Sequence, residues 1–582
     1  MFPALRFFAA ARGEGERGCA TIPRTVAPST SRRRAGRVLS AARSSSVRIA
    51  SLLLALGILV ACRGRETASP AAPPLPTTLT VASGNDISGV NELLLSTTRQ
   101  IDQDVLAAMF LRLAEEQPDF QEHPPTFAPQ LARSWDFSPD RLALTFHLRD
   151  DVKWSDGVPV TADDVRFTWQ AQTSAEVAWP NAYQKESIRD VEVVDPQTAR
   201  FHFLHAYPTQ LLDVNEGFIL PKHAWSQLPF AKWAESGDWF RDHLVVDGAF
   251  TLERWKPQEE VVLRKNPAYF EAGKPLLQQV VIRVVPDEAA RLQELLGGAA
   301  SLVEAIPPDR ADEVARAPGR RLEVVWARRY TAIVWNTRRP PFDDPAVRRA
   351  LTMAIDRRGL VEAIWHGRAR VADSPVLTSV WAHPDDLQPW PYDPAAARQL
   401  LESRGFRDAD GDGVLERGGK PLAIELSTTT GNQIRRDALV LIQDQLKRAG
   451  VAVVPAFRES AAQTAKLSAH DFDGALMTWG IDTGLDLRYG FDSRDPDGTN
   501  YGRYANPEVD KLLDLVDHEP DRTTAGPLLA RIQHLIHEDQ PYTFLWEPPV
   551  LIGLDARLRA TPSAIYTLGG LEDWTFAAAP PR

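Results

Sequence analysis

Cysteine is almost absent from the sequence. The 582 residues contain two, Cys19 and Cys62, and Cys19 lies in an N-terminal segment that we expect to be removed from the mature protein. A chain left with one cysteine cannot form an internal disulfide, and the sequence has no Cys-x-x-Cys pair. Disulfide scaffolds and Cys-x-x-Cys sites are therefore excluded.

Recognisable catalytic motifs are also lacking. The sequence has no His-Glu-x-x-His and no Gly-x-Ser-x-Gly. His534 and His537 have no third candidate ligand nearby, which favours a solvated helix face over a metal site. Residues 413–420 have the glycines and lysine of a phosphate-binding loop, but the spacing is one residue off and Pro421 replaces the Ser or Thr. We predict a protein that is not an enzyme and has no resident metal or cofactor.

Long apolar runs are missing too. Residues 49–61 form an apolar run of thirteen residues, whereas a bilayer of ~30 Å requires roughly 20. Arginines precede this run and small residues end it, which is typical of a secretory signal peptide. Its end, Leu59-Val60-Ala61-Cys62, resembles the bacterial lipobox. This resemblance implies that Cys62 becomes the lipidated first residue of the mature protein; the alternative is an ordinary signal peptide.

Proline-rich residues separate this signal from the rest of the chain. Residues 62–78 contain four prolines, and such a composition indicates an extended tether of about 50 Å at ~3.1 Å per residue. We assign 1–61 to a basic extension plus lipoprotein signal peptide and 62–78 to a lipid-anchored tether. Residues 1–37 exceed what a signal peptide needs, so we expect a true start at Val38 or Val47.

Only the N-terminal segment carries a net positive charge. The first 62 residues contain ten arginines and two glutamates, a net charge of +8. Because the whole chain has a net charge of −11, the remaining residues have a net charge of −19. An acidic body argues against nucleic acid as a partner, because phosphates require basic patches. Its charge instead favours solubility.

Residues 408–413 contain a partial metal motif. Asp408, Asp410 and Asp412 occupy positions 1, 3 and 5 of a calcium loop, and Gly413 occupies position 6. Position 12, where such loops have a bidentate glutamate, is Gly419. We favour a structural turn, and a bound calcium remains the alternative.

Residues 131–170 predict a strand, a tight turn and a helix. Apolar residues recur there at the period of a half-buried strand: Leu142, Leu144, Phe146 and Leu148. Asp156-Gly157 is a turn dipeptide, and Thr161 with Asp164 has the spacing of a capping box. Further upstream, residues 79–82 predict a first strand and 104–114 an amphipathic helix.

Later segments give equally clear local signals. Residues 541–555 read as an apolar strand pair. Turn residues or helix caps mark three other segments: Lys256-Pro257 within 245–270, Asp344 and Pro345 within 329–356, and Asn506 and Pro507 within 501–516.

Taken together, these blocks resemble those of the bacterial family-5 extracytoplasmic solute-binding proteins, which include the oligopeptide- and dipeptide-binding subunits of ABC importers. The resemblance covers nearly all of 79–582 in the same order. It implies an α/β, two-lobed periplasmic-binding-protein-like fold of type II, in the large cluster with an extra subdomain. Lobe boundaries follow from it: lobe I at 79–330 and 545–582 with an inserted subdomain at about 116–240, lobe II at 331–544, and a hinge of crossing strands near 329–336 and 543–548.

The resemblance also implies a ligand site at a Trp-x-x-Asp motif, formed here by Trp479 and Asp482. In peptide-binding relatives this carboxylate faces the peptide's α-ammonium group between the lobes. An amine taken out of water needs such a charge partner. The sequence departs from the family at 483–487, where relatives have an aromatic residue and Asp-Pro. Arg488 is a further candidate, for a ligand carboxylate, with a surface arginine as the alternative.

These features predict an extracytoplasmic substrate-binding protein in the periplasmic space or cell envelope, held at a membrane by its lipid. We expect a monomer that captures peptides and delivers them to an ABC permease. Other ligands remain open within the same fold: a nickel chelate, haem, an oligosaccharide or an opine. A transporter-independent sensor or chaperone-like lipoprotein is an alternative of another class. Asp482 favours peptides.

Overall fold

The computed structural model describes residues 76–95, 99–495 and 498–578. The signal segment, Cys62 and the tether up to residue 75 lie outside the described residues. All described residues belong to one unit, Pro73–Arg582. No helix among them is both long and apolar enough to cross a membrane.

Strands occur along the whole described chain. Numbered in chain order, they are β1 Thr78–Ser83, β2 Ala114–Glu116, β3 Phe127–Pro129, β4 Ala132–Phe137, β5 Ala143–Leu148, β6 Ile188–Asp195, β7 Thr198–Phe203, β8 Phe250–Lys256, β9 Glu260–Lys265, β10 Gln279–Val284, β11 Leu302–Val303, β12 Arg320–Trp326, β13 Arg329–Trp335, β14 Arg370–Val371, β15 Glu416–Arg417, β16 Lys420–Pro421, β17 Ala423–Thr429, β18 Ala452–Arg458, β19 Gly474–Gly480, β20 Tyr542–Glu547, β21 Pro549–Asp555, β22 Leu558–Arg559 and β23 Thr575–Phe576.

Helices alternate with these strands. They are α1 Gln100–Met109, α2 Ala162–Thr173, α3 Gln210–Asn215, α4 Lys222–Trp225, α5 Gly237–Asp242, α6 Glu288–Gly297, α7 Ala311–Arg316, α8 Pro345–Met353, α9 Arg357–Trp365, α10 Pro394–Ser403, α11 Gln433–Arg448, α12 Ser460–Ser468, α13 Arg488–Phe491, α14 Pro507–Asp517 and α15 Arg522–Asp539. Short 3-10 turns lie at Glu92–Leu94, Ala182–Lys185, Phe230–Glu235, Pro308–Arg310 and Leu571–Asp573.

Two mixed sheets form the centres of the two lobes. The seven-stranded sheet has the order β12-β21-β11-β1-β10-β9-β8, and the six-stranded sheet has the order β14-β20-β13-β19-β17-β18. A four-stranded antiparallel sheet, β4-β5-β7-β6, shares its apolar core with the seven-stranded sheet. The predicted two-lobed α/β fold is confirmed.

The chain crosses between the two large sheets at two places. β12 ends at Trp326 in the seven-stranded sheet, and β13 begins at Arg329 in the six-stranded one. On the way back, β20 ends at Glu547 and β21 begins at Pro549. We propose the lobe boundaries at these crossings, Ala327-Arg328 and Pro548, near the predicted boundaries of 330/331 and 544/545.

Most local predictions match the elements. Thr161 precedes α2, and its N–H donates to the Asp164 carboxylate over 2.9 Å, as a capping box requires. Asp344 caps α8 by accepting the N–H of Ala346 at 2.9 Å, and Pro345 is the first helical residue. The cap at Asn506 of α14 follows the same pattern.

Two local predictions were wrong. The helix predicted at 104–114 is α1, which ends at Met109. Its continuation is prevented because the N–H of Leu111 donates to Asp247 at 2.9 Å and that of Ala114 to Asn215 at 2.7 Å. These acceptors are distant in sequence. Leu142, predicted on the buried face of β5, is 41% exposed because the strand begins one residue later.

A buried arginine holds two helices of lobe II together. Arg348 of α8 is 3% exposed, and its guanidinium donates to the carbonyls of Asp539 and Gln540 at 3.0 Å and of Phe342 at 2.5 Å. These carbonyls include the C-terminal end of α15, where a cation also complements the helix dipole. Burial lowers the pKa of Arg348 to about 10.

Replacing Arg348 with methionine is expected to lower the free energy of unfolding by about 3 kcal/mol, because several buried carbonyls lose their donor. The neighbouring Arg349→Met is the control. Arg349 is half-buried with an ion pair of 3.8 Å to Glu538, so its loss should cost less than about 1 kcal/mol. Urea unfolding measures both, and equal losses would contradict the assignment.

Candidate functional site

A cavity of about 300 Å³ lies between the lobes, next to the first crossing. Lobe I contributes α1, β2, the end of α3 and residues 565–572, whereas Asp482 and Thr483 come from lobe II. A second cavity of about 540 Å³ adjoins it and shares Glu115, Glu116 and Tyr566 as walls. The two form a continuous interlobe cleft.

Asp482 lies deep in this cleft. It follows β19, whose register against β13 and β17 fixes where the strand ends, and its carboxylate accepts the N–H of Leu485 at 2.9 Å. Protein surrounds the residue, yet the side chain is exposed to the cavity. Burial raises the pKa of Asp482, while the positive charges of Arg328 and Arg522 oppose that shift. The carboxylate is thus held in place and open to a ligand.

Glu116 and two arginines surround this carboxylate. Burial raises the pKa of Glu116, again against the charge of Arg328. Arg522, in the first turn of α15, donates to the carbonyl of Thr483, and burial lowers its pKa. Residues from both lobes and from the crossing therefore converge on one place.

Two guanidinium groups of the cavity wall have no carboxylate bound to them. Arg112 lies over the ring of Phe218, 3.9 Å from its centroid. Arg328 sits in the first crossing. Among the described ranges, neither guanidinium has a carboxylate within ion-pair distance. Both can bind an anionic ligand group.

Lys185 fixes the part of the wall that follows α3. Its ammonium is buried and donates to the carbonyls of Asp213 and of Glu216, the latter over 2.8 Å. Burial lowers the pKa of Lys185 to about 8 and raises that of Asp213 to about 7. The lysine thereby holds the end of α3 so that Asn215 and Glu216 reach the cavity.

The structure does not bring Trp479 to the cavity wall. Its indole packs in lobe II against three tyrosine rings, with centroid distances of 5.0 Å to Tyr489, 6.0 Å to Tyr501 and 6.2 Å to Tyr542. Trp479 therefore supports the strand that leads to Asp482. A contact of its side chain with a ligand stays a prediction.

The contacts of Arg488 favour a structural role over ligand binding. Its guanidinium binds three carboxylates, those of Asp492, Asp514 and Asp517. Asp492 is almost fully buried, so the arginine compensates its charge. Because these contacts occupy its donors, we infer a structural role for Arg488, and binding of a ligand carboxylate by this residue stays a prediction.

The two remaining motifs have structural explanations. Asp408, Asp410 and Asp412 each accept a backbone N–H within their own loop, at 2.8 to 3.1 Å, which supports the interpretation as a turn. His537 was expected on a solvated face, but it is buried and stacks on Trp390 with a centroid distance of 5.5 Å.

A groove of about 780 Å³ lies on the other side of the crossing strands. Arg328 faces the cavity containing Asp482, whereas the next residue, Arg329, lines this groove. Its walls are mainly apolar and come from both lobes, with Ile306 on one side and Trp365 and Ile434 on the other.

Several residues that line or support the cavity were missed from the sequence. Arg112, Glu116, Lys185 and Glu572 carry no local signal that separates them from exposed loop residues. Arg328 could have been found, because a pair of arginines directly before an apolar strand at a predicted hinge is an unusual position for charge.

Comparisons with known proteins agree with this geometry. The family model "Bacterial extracellular solute-binding proteins, family 5 Middle" matches residues 126–498. The oligopeptide-binding protein AppA of Bacillus subtilis is 29% identical over 521 residues, covering 87% of this chain and 94% of AppA. The structure of AppA in complex with a nonapeptide superposes with a TM-score of 0.71 at 28% identity, covering 87% of this chain and 100% of that one.

Two more distant relatives are named for, or were solved with, ligands other than peptides. Heme-binding protein A of Haemophilus influenzae is 26% identical over 451 residues, covering 73% of this chain and 79% of its own. NikA from Brucella suis, solved in complex with Fe(III)-EDTA, has a TM-score of 0.75 at 22% identity, covering 86% of this chain and 100% of its own. The latter similarity shows the fold alone.

Replacing Arg488 with methionine is expected to lower the free energy of unfolding by about 2 kcal/mol, because buried Asp492 loses a charged partner. Ligand affinity should not change. Arg494→Met is the control, since Arg494 binds the same carboxylate from a more exposed position and should cost less. Urea unfolding and ligand titration test this, and lost affinity at full stability would reinstate Arg488 as a ligand residue.

Proposed function

The chain belongs to the bacterial extracellular solute-binding proteins of family 5, and we propose that it captures short peptides between its two lobes and delivers them to an ABC permease. The proposal rests chiefly on one observation, the position of Asp482. Its carboxylate is exposed to an interlobe cavity, yet it lies deep among protein atoms. A peptide's α-ammonium group loses water on entering such a site and needs a fixed negative partner there.

The unpaired guanidinium groups support the other half of a peptide zwitterion. Arg112 and Arg328 line the same cavity as Asp482. An arginine fork can bind a carboxylate through two parallel hydrogen bonds, which fixes its orientation. We propose that one of them binds the peptide's C-terminal carboxylate, in the role first expected of Arg488.

The crossing strands supply the movement that this function requires. Closure of two lobes around a ligand concentrates in the few residues that join them, here Ala327-Arg328 and Pro548. The closed form is what the permease would recognise. We propose a monomer without covalent chemistry, held in the cell envelope by a lipid on Cys62.

The relatives support a peptide ligand for this protein, but they are named for different ligands and do not decide among them. AppA is named as an oligopeptide-binding protein, whereas heme-binding protein A is named for haem. The ligand that the protein itself retains distinguishes these cases.

Asp482→Ala is expected to weaken peptide binding at least about thirtyfold, because a desolvated ammonium group loses its charge partner. Native mass spectrometry of the protein purified without refolding should show a ladder of short peptides, absent from the variant. Asp486→Ala, a loop neighbour whose carboxylate accepts the N–H of Arg488 at 2.8 Å, is the control and should keep them. A retained haem, sugar or metal chelate would overturn the peptide assignment.

Cys62→Ala is expected to move the protein from the membrane fraction to the soluble envelope fraction, because the lipid anchor cannot form. Cys19→Ala is the matched control and should leave the distribution unchanged. Fractionation and the mass of the N-terminal peptide measure this. A membrane-bound Cys62→Ala protein would contradict lipidation at this residue.

A further inference from the structure

The charges of the interlobe cavity are unequal in sign. Five carboxylates and two guanidinium groups line it: Glu115, Glu116, Glu216, Asp482 and Glu572 against Arg112 and Arg328. A peptide main chain with free ends is a zwitterion and adds no net charge. Its ammonium group can use Asp482 and its carboxylate one arginine, which leaves the cavity with an excess of negative charge.

Four of these five carboxylates form two groups. Glu116 and Asp482 share the charges of Arg328 and Arg522. Glu115 and Glu572 lie at the lobe I side, in β2 and in the turn Leu571–Asp573. The first group thus has Arg328 and Arg522 as its cations. For the second group, the positive charges that oppose the upward pKa shift of Glu115 come from Arg112 and Lys274.

The cation next to Glu115 and Glu572 is already bound elsewhere. Lys274 forms ion pairs of 2.8 Å with Glu271 and 2.9 Å with Asp573. Among the described residues, no side chain donates a hydrogen bond to the carboxylate of Glu115 or of Glu572, and neither carboxylate forms an ion pair. Two like charges therefore face one cavity without a dedicated counter-charge.

We propose that the cavity selects cationic ligands, and specifically short peptides with a lysine or arginine side chain whose positive group binds between Glu115 and Glu572. This inference rests on the proposed peptide function and names its substrate class. A cation bound there reduces the repulsion between the two carboxylates. The same two carboxylates replace the water molecules that the cation loses on binding. A neutral side chain would leave both carboxylates uncompensated.

The protonation of these carboxylates supports this reading. Burial, with the charges of Glu115 and Asp573, raises the pKa of Glu572 to about 7 against the opposing charge of Lys274. Glu271 and the hydroxyl of Tyr269 also face this region. At pH 6 most of the empty sites therefore carry a proton on Glu572, and a cation must displace it. The preference for a basic over a neutral peptide should therefore increase from pH 6 to pH 8, because the titration of the α-ammonium group is shared by both peptides and cancels in their ratio.

Calorimetric titration of the full chain with Ala-Lys-Ala, Ala-Ala-Ala and Ala-Glu-Ala tests the inference. At pH 8, Ala-Lys-Ala should bind about tenfold more tightly than Ala-Ala-Ala, and Ala-Glu-Ala more weakly than both. The ratio between the first two should shrink to about threefold or less in Glu115→Gln and in Glu572→Gln. Exposed Glu538, on the far end of α15, provides the control Glu538→Gln, which should keep the full ratio.

The outcomes separate this inference from the peptide function. Equal binding of the three peptides overturns the cationic preference and leaves peptide binding intact. An unchanged ratio in both Gln variants, or no increase of the wild-type ratio from pH 6 to pH 8, overturns the role of Glu115 and Glu572. The diamine cadaverine serves as a fourth probe, a cation without a peptide main chain. If cadaverine binds and no peptide does, the peptide function is wrong and the cationic preference stands. If none of the four probes binds, both proposals are wrong.

Discussion

The structure depends on the two crossings between its large sheets. Paired strands hold the backbone firmly on either side: β12 pairs with β21 from Arg320 to Trp326 in one lobe, and β13 pairs with β20 in the other. Only Ala327-Arg328 and Pro548 lie between these two pairs of strands. Relative movement of the lobes is therefore concentrated in very few residues. Arg328 is one of them, so a charge of the binding cavity sits in the joint itself.

The cavity wall is preorganised mainly by backbone groups. The N–H of Leu485 holds the Asp482 carboxylate, and carbonyls in the last turn of α3 and directly after it hold the Lys185 ammonium group. Such contacts leave ligand-facing oxygen atoms and guanidinium groups in fixed places before any ligand arrives, which reduces the entropy lost on binding. The same burial keeps charges close together without direct pairing, and that makes the site sensitive to the charge of what enters.

Local sequence signals predicted much of the fold, because caps and turns are short-range interactions. Thr161 with Asp164 and Asp344 with Pro345 show this. The lobes themselves came from resemblance, since strand order is set by pairings far apart in sequence. Asp482 was predicted, but Trp479 and Arg488 were not brought to the cavity, and Arg112 and Glu572 were missed. A polar loop residue has the same local sequence pattern whether its side chain faces bulk water or the wall of the interlobe cavity.

The groove behind the crossing strands has a consequence for affinity. Because Arg328 and Arg329 face opposite sides of the joint, rotation that narrows the cavity around a ligand widens the groove. Its apolar side chains, such as Ile306 and Trp365, then meet more water, at a cost of about 25 cal/mol for each Å² of apolar surface exposed. The energy of closure is thus set partly at a surface that no ligand touches. The size of the side chains that line this groove can therefore change ligand affinity without changing which ligand is recognised.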